Sequence, residues 1–158
     1  MAELYRKGVG IIVVNPKGTV LVAARIEERE PLWQFPQGGI DEGESPQTAM
    51  YRELQEEVGI TSIRLIHAGH KWYRYEVPPS YRPAQWDNKF VGQEQKWYLV
   101  AFDGQEQEIT LSHKIPEFKS WRWVPFSQTP DLVIGFKHAL YKELVTDFTP
   151  FIETYLHD

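Results

Sequence analysis

The sequence predicts an α/β domain, a mixed β-sheet covered by helices, and two observations lead to that class. Apolar stretches of strand length fall before, between and after two segments of helical period. The 158 residues also carry no internal repeat, low-complexity tract or linker, so residues 1–158 read as one domain. A chain of this size buries about two thirds of the surface its unfolded form exposes, enough for a substantial core.

Residues 9–14 (Val-Gly-Ile-Ile-Val-Val) have the pattern of a buried strand, and Asn15-Pro16-Lys17-Gly18 supplies turn residues after them. Residues 19–24 read as the returning strand of a hairpin. Residues 26–45 read as loop, on account of Pro31, Pro36, Gly38, Gly39 and Gly43. Ser45-Pro46 pairs a capping side chain with a proline at the first helical position, and Gly59 stops the helix, so a helix is expected over 46–58. Residues 63–77 and 94–102 follow as strands, separated by a loop over 78–92 that holds Trp86. A short strand is expected at 121–124. The tail over 132–156 is helical by period, with Phe136, Leu140 and Leu144 four apart, and Thr149-Pro150 is expected to interrupt it.

Composition narrows the chemistry. Without cysteine there is no disulfide and no thiolate metal site, so any metal must be held by oxygen or imidazole. The five histidines show no ligand spacing and read as structural or surface residues. A net charge of −5 argues against a general nucleic-acid binder with a broad basic face, although a bound cation can invert the local field for a phosphate ligand. Aromatics at 14% suggest stacking surfaces as well as core. The N-terminus lacks the plan of a signal peptide, and the longest apolar run is too short to span a bilayer. A cytoplasmic protein without membrane contact is the expectation, and no stable protein partner is evident.

The helix over 46–58 has two faces. Met50, Leu54 and Val58 form an apolar stripe, while Glu53, Glu56 and Glu57 fall at i, i+3 and i+4, so that their carboxylates should converge. Like charges so placed cost an isolated helix a few tenths of a kcal/mol per pair. Taken alone, the pattern also suits a solvated acidic face with Arg52 pairing Glu56.

The surrounding residues favour a site. Gly38, Glu44 and then Arg52-Glu53-Leu54-Gln55-Glu56-Glu57-Val58-Gly59-Ile60 resemble the Nudix box at every defined position and spacing. The resemblance implies an α/β/α sandwich that cleaves phosphoanhydrides with Mg²⁺ or Mn²⁺, two or three ions with substrate bound. It assigns Glu53, Glu56 and Glu57 as metal ligands, Gly38 as the point of close backbone approach, and Arg52 and Glu44 as the residues that orient the carboxylates.

A narrower similarity, to bacterial RNA pyrophosphohydrolases and dinucleoside polyphosphate hydrolases, extends over most of the chain. Its carriers include residues 33–40, 49–54 and 92–97, Pro116-Glu117-Phe118, residues 121–124 and Phe136-Lys137. One departure is Arg6-Lys7-Gly8, which lacks the proline common after that arginine. The similarity implies that Glu117 reaches the metals as ligand or base. Arg6, Arg25, Lys96 and Lys137 become candidates for the phosphate chain, and Gln37, Gly39 and Gln95 further substrate contacts. Phe136 either stacks on a base or belongs to the core; Tyr73, Tyr75 and Trp86 are weaker stacking candidates, and Trp121 and Trp123 read as packing.

The leading substrate is the triphosphorylated 5′ end of RNA, whose loss of pyrophosphate starts decay. Diadenosine tetra- or pentaphosphate, split asymmetrically to release ATP, is the alternative. Two weaker readings are a non-catalytic nucleotide-binding module and an enzyme acting on oxidised dGTP.

Overall fold

The computed structural model describes residues 4–26, 32–111 and 118–158. Its strands are β1 (Tyr5–Val14), β2 (Thr19–Arg25), β3 (Trp33–Gln34), β4 (Gln37–Gly39), β5 (Ile63–Glu76), β6 (Gly92–Phe102) and β7 (Phe118–Pro125); its helices are α1 (Pro46–Val58) and α2 (His138–Leu156). The strands form one sheet in the order β3-β2-β1-β6-β5, with β4 also pairing β1 and β7 also pairing β2. Only β1 and β6 run parallel among the described pairs, so the sheet is mixed, as expected.

The hairpin forms where the turn residues placed it. Asn15 Oδ1 accepts hydrogen bonds from the Lys17 and Thr19 amides at 3.1 and 3.0 Å, and Gly18 takes a φ of 87°. From Gly8 to Val14 strand β1 is buried on both faces, and its side chains alternate between two cores. Val9, Ile11 and Val13 pack with Met50, Leu54 and Val58 of α1. Ile12 and Val14 pack with Leu140, Tyr141, Leu144, Phe148 and Ile152 of α2. One helix on each face makes the α/β/α sandwich.

Helix α1 has the anticipated ends. Ser45 accepts from the Thr48 amide at 3.2 Å, and Gly59 closes the helix in the left-handed region at φ 73°.

Three expectations are corrected. The stretch 26–45 is not all loop, because β3 and β4 pair with β2 and β1; strands this short leave no periodicity to read. Helix α2 begins at His138, so Phe136 and Lys137 lie in a 3₁₀ turn, Gly135–Lys137, ahead of it. Pro150 does not interrupt α2. A proline in a helix interior costs about 3 kcal/mol, and burying Phe148 and Ile152 on either side of it returns about 1.5–3 kcal/mol each.

Tyr141 ties α2 to the segment that carries the box glycines. Its hydroxyl accepts from the Phe35 amide at 2.9 Å, and its ring stacks on Phe35 at 4.7 Å, with neither residue exposed. Tyr141→Phe keeps the ring but leaves that buried N–H without an acceptor. The expected loss is about 1–3 kcal/mol of unfolding free energy, read by urea denaturation. Unchanged stability would mean that the amide has another partner.

Candidate active site

The site assembles around Arg52. Its Nε and Nη2 donate to the two oxygens of Glu44 at 2.8 and 2.9 Å, a bidentate pair. Nη2 also reaches the Gly39 carbonyl at 2.9 Å, and Nη1 reaches Glu53 at 2.8 Å and Glu56 at 3.2 Å. The Asp41 amide donates to Glu44 as well, at 2.9 Å. Arg52, helped by that amide, holds the Glu44 carboxyl well below its ordinary value, at about 2, and the same pairing raises Arg52.

Helix α1 and strand β4 meet at close range. A Cβ at Gly38 would fall 2.0 Å from the Glu53 carboxylate, so only glycine lets this backbone lie against that side chain. The Gln37 amide donates to Glu57 at 3.2 Å. Glu53 and Glu57 line a cleft with Gly38, Gly39, Arg6, Arg25 and Gln37. Glu56 is more open, its side chain 58% exposed. The convergence expected of the three glutamates is therefore partial, because Glu53 and Glu56 share Arg52 Nη1 while Glu57 is drawn to the Gln37 amide. Among the described residues no group of three or more acidic or histidine side chains is gathered tightly enough to hold a metal ion. The donor set itself, carboxylates beside a glycine backbone, has the all-oxygen character that suits a hard divalent cation.

Next to the acidic cleft is a more apolar pocket, reached past Arg25, Gln34 and Gln37, which line both. Phe136, half-buried, lines it with Tyr75 and Tyr81, at ring separations of 6.3 and 5.3 Å. It packs against the core, one of its two sequence readings, and also faces the cavity. Lys137 is buried in the wall, its Nζ 3.4 Å from Gln37 Oε1 and 5.5 Å over the Tyr75 ring. Burial pushes its ammonium down to about 8; Arg25 adds to the shift and Glu57 opposes it. Gln95 donates to Gln37 Oε1 at 3.2 Å, and its own buried Oε1 has no partner. Burial likewise raises the Tyr75 hydroxyl to about 12.

Of the residues singled out from sequence, Glu44, Arg52, Glu53, Glu56, Glu57, Gly38, Gly39, Arg6, Arg25, Gln37, Gln95, Phe136 and Lys137 are brought together around these two depressions. Lys96 is not. It alternates with Gln95 along β6 and faces the α1 side of the sheet, because strand neighbours point to opposite faces. Glu117 lies outside the described residues. Tyr73 is buried against α2, where it donates to Asp147 at 2.6 Å. Trp86 lines the cleft, and Trp121 and Trp123 pack edge to face at 6.1 Å. Sequence reasoning missed Gln93, whose amide donates to the Tyr75 hydroxyl at 2.8 Å and which lines both depressions. Its signals were the alternation Gln93, Gln95, Trp97 along the strand and its place in the segment 92–97 that carries the narrower similarity.

An α/β/α sandwich with a glycine strand pressed against a glutamate-bearing helix defines a Nudix hydrolase. The NUDIX domain model matches residues 4–145, and the chain belongs to that family. The RNA pyrophosphohydrolase of Rhodospirillum rubrum is 42% identical over 147 residues, 93% of this chain and 88% of that protein. That of Pelagibacter ubique is 44% identical over 139 residues, 88% of each. Among solved structures, the Escherichia coli dihydroneopterin triphosphate pyrophosphohydrolase superposes with a TM-score of 0.71 at 19% identity, over 92% of this chain and 99% of that one, and so shares the fold.

The depressed Glu44 fixes a pH dependence. Its contribution to stability is complete above its ordinary value of 4.5 and is lost as pH falls from there towards about 2. Glu44→Gln should therefore melt below the wild type at neutral pH, with the gap closing as pH drops through that window. A gap that stays constant down to pH 2 would contradict the Arg52–Glu44 pairing.

Proposed function

We propose that this chain removes pyrophosphate from the triphosphorylated 5′ end of RNA, in the cytoplasm, with Mg²⁺ or Mn²⁺ as cofactor. The observation that carries the reading is the complete box, with Gly38 against Glu53, in a chain more than 40% identical to RNA pyrophosphohydrolases along most of its length. Glu53, Glu56, Glu57 and Glu117 would hold the metal, two or three ions once substrate is present, with the Gly38 backbone alongside. Bound divalent cations supply charge neutralisation, polarisation of phosphorus and a more acidic water.

The chain's own residues do the rest. Arg52 and Glu44 keep the carboxylates oriented. Arg6 and Arg25 offer planar forks to phosphate oxygens, and Lys137 adds a partly desolvated ammonium. Gln37, Gln95 and the Gly39 backbone complete the polar wall. Phe136 faces the pocket where a base can stack, a contact worth about 1–3 kcal/mol and indifferent to base identity. That indifference supports a second reading, asymmetric hydrolysis of diadenosine tetra- or pentaphosphate, because both substrates present a nucleoside beside a 5′-linked polyphosphate.

Purified protein with Mg²⁺, given triphosphorylated RNA and diadenosine tetraphosphate in parallel, separates the two readings by their products. Preferential release of pyrophosphate from RNA is expected. Excess EDTA should stop turnover. Glu56→Gln or Glu57→Gln should lower kcat at least ~100-fold while the apo variant melts no lower than the wild type. Full activity in EDTA, or wild-type turnover by both variants, would contradict the metal assignment; faster cleavage of the dinucleotide than of RNA would favour the second reading.

A further inference from the structure

We propose that the open part of the sheet face beside α1 is a track for the single-stranded RNA that follows the 5′ end, separate from the cleft that takes the polyphosphate. The inference rests on the RNA reading above. Helix α1 covers the part of that face where Val9, Ile11, Val13, Tyr98 and Val100 lie. Beyond it, Lys7 of β1, Glu94 of β6 and Arg74 of β5 stand abreast across three adjacent strands, and in the next row Lys96 pairs with Trp72. All of these side chains are half-buried or exposed on that face, Glu94 with 14% of its side chain exposed.

The strip interleaves cations with rings. Lys7 Nζ lies 4.9 Å over Trp72, and Arg74 lies 4.6 Å over Tyr5. One carboxylate, Glu94, serves both cations, at 3.9 Å from Lys7 and 2.6 Å from Arg74. Glu76, exposed in the row of Tyr5 and Gly92, is a second carboxylate on this face, so with Lys96 the strip sets three cations against two carboxylates, on a chain whose total is −5. Cations beside half-exposed aromatics are the chemistry that holds single-stranded nucleic acid: phosphates pair with the basic groups and bases lie on the rings, with little sequence preference. As isolated pairs these contacts would be ordinary surface packing.

Their connection to the cleft makes them a track. Arg6 lines the acidic cleft and also the groove formed by Lys7, Ile40, Trp72 and Phe90, which ends at Glu44 and Pro46 where α1 begins. A strand whose 5′ phosphates rest against the box and whose first base lies in the Phe136 pocket can therefore lead its following nucleotides past Arg6 onto Lys7 and Trp72. That path brings the strand to the Lys7 ammonium over the Trp72 ring. It also gives Lys96, which the cleft does not use, a place beside the substrate. A dinucleoside polyphosphate has no downstream strand and does not reach this face.

The test compares KM for triphosphorylated RNAs of two and ten nucleotides and for diadenosine tetraphosphate, in the wild type, Lys7→Glu and Trp72→Leu, with melting temperatures alongside. The wild type should show the lower KM for the longer RNA. Lys7→Glu, at an exposed position, should raise that KM at least about tenfold, and Trp72→Leu roughly 5- to 150-fold, while the two short substrates shift less than about twofold. Equal KM for both RNA lengths in the wild type, or a Lys7→Glu effect shared by all three substrates, overturns the track and leaves the RNA reading standing. Turnover of diadenosine tetraphosphate with neither RNA cleaved overturns that reading, and the track with it.

Discussion

The guanidinium of Arg52 is the constraint on which the rest of the site depends. It binds Glu44 through two hydrogen bonds and touches Glu53, Glu56 and the Gly39 carbonyl, so one side chain joins the helix, the loop before it and the glycine strand. Without a cation in that position, four carboxylates on or beside one short helix would repel each other, and the loop would lose its anchor. Arginine is suited to the task because its planar fork satisfies several acceptors at once and stays protonated throughout. The backbone of Gly38 can then lie against Glu53 at a distance no side chain would allow.

The same glycine strand is held from the opposite face of the sheet. Tyr141 reaches from α2 to the Phe35 amide, and Phe35 is packed between Trp97, Phe126 and Tyr141. The position of Gly38 thus follows from two anchors, one ionic on the α1 side and one packed on the α2 side. Both act on a strand already paired to β1, where Gly38 lies opposite Val9, and shifts of about an ångström are costly at a catalytic centre. The sheet also divides the substrate surfaces. Its α2 side carries the aromatic pocket of Tyr75 and Phe136, and its α1 side carries the basic strip around Lys7 and Trp72. Arg6, next to Gly39, lies at the boundary.

Much of this was legible in the residues because the decisive signals are local. The cap at Ser45, the stop at Gly59, the stripe Met50-Leu54-Val58 and the glutamate spacing all lie within one helix and its flanks. Features that depend on tertiary pairing were not legible. Strands β3 and β4, of two and three residues, exist because β2 and β1 offer edges to pair with. Phe136 and Lys137 keep a helical spacing with Leu140 yet lie in a 3₁₀ turn that lets them face the pocket. The period could not show that break. Lys96 had the right charge and the wrong face, which only the register of β6 against its neighbours decides. Tyr141 had no signal of its own, since nothing local marks a hydroxyl whose partner is 106 residues away.

The central claim is that Arg52 organises the carboxylates for a divalent cation, and Mn²⁺ binding followed by electron paramagnetic resonance tests it most directly. Arg52→Lys retains the charge and removes the fork, so a change in affinity reports orientation rather than net charge. The account predicts a folded variant whose Mn²⁺ affinity is weaker by about 10- to 100-fold. A folded Arg52→Lys protein that binds Mn²⁺ as tightly as the wild type would contradict it.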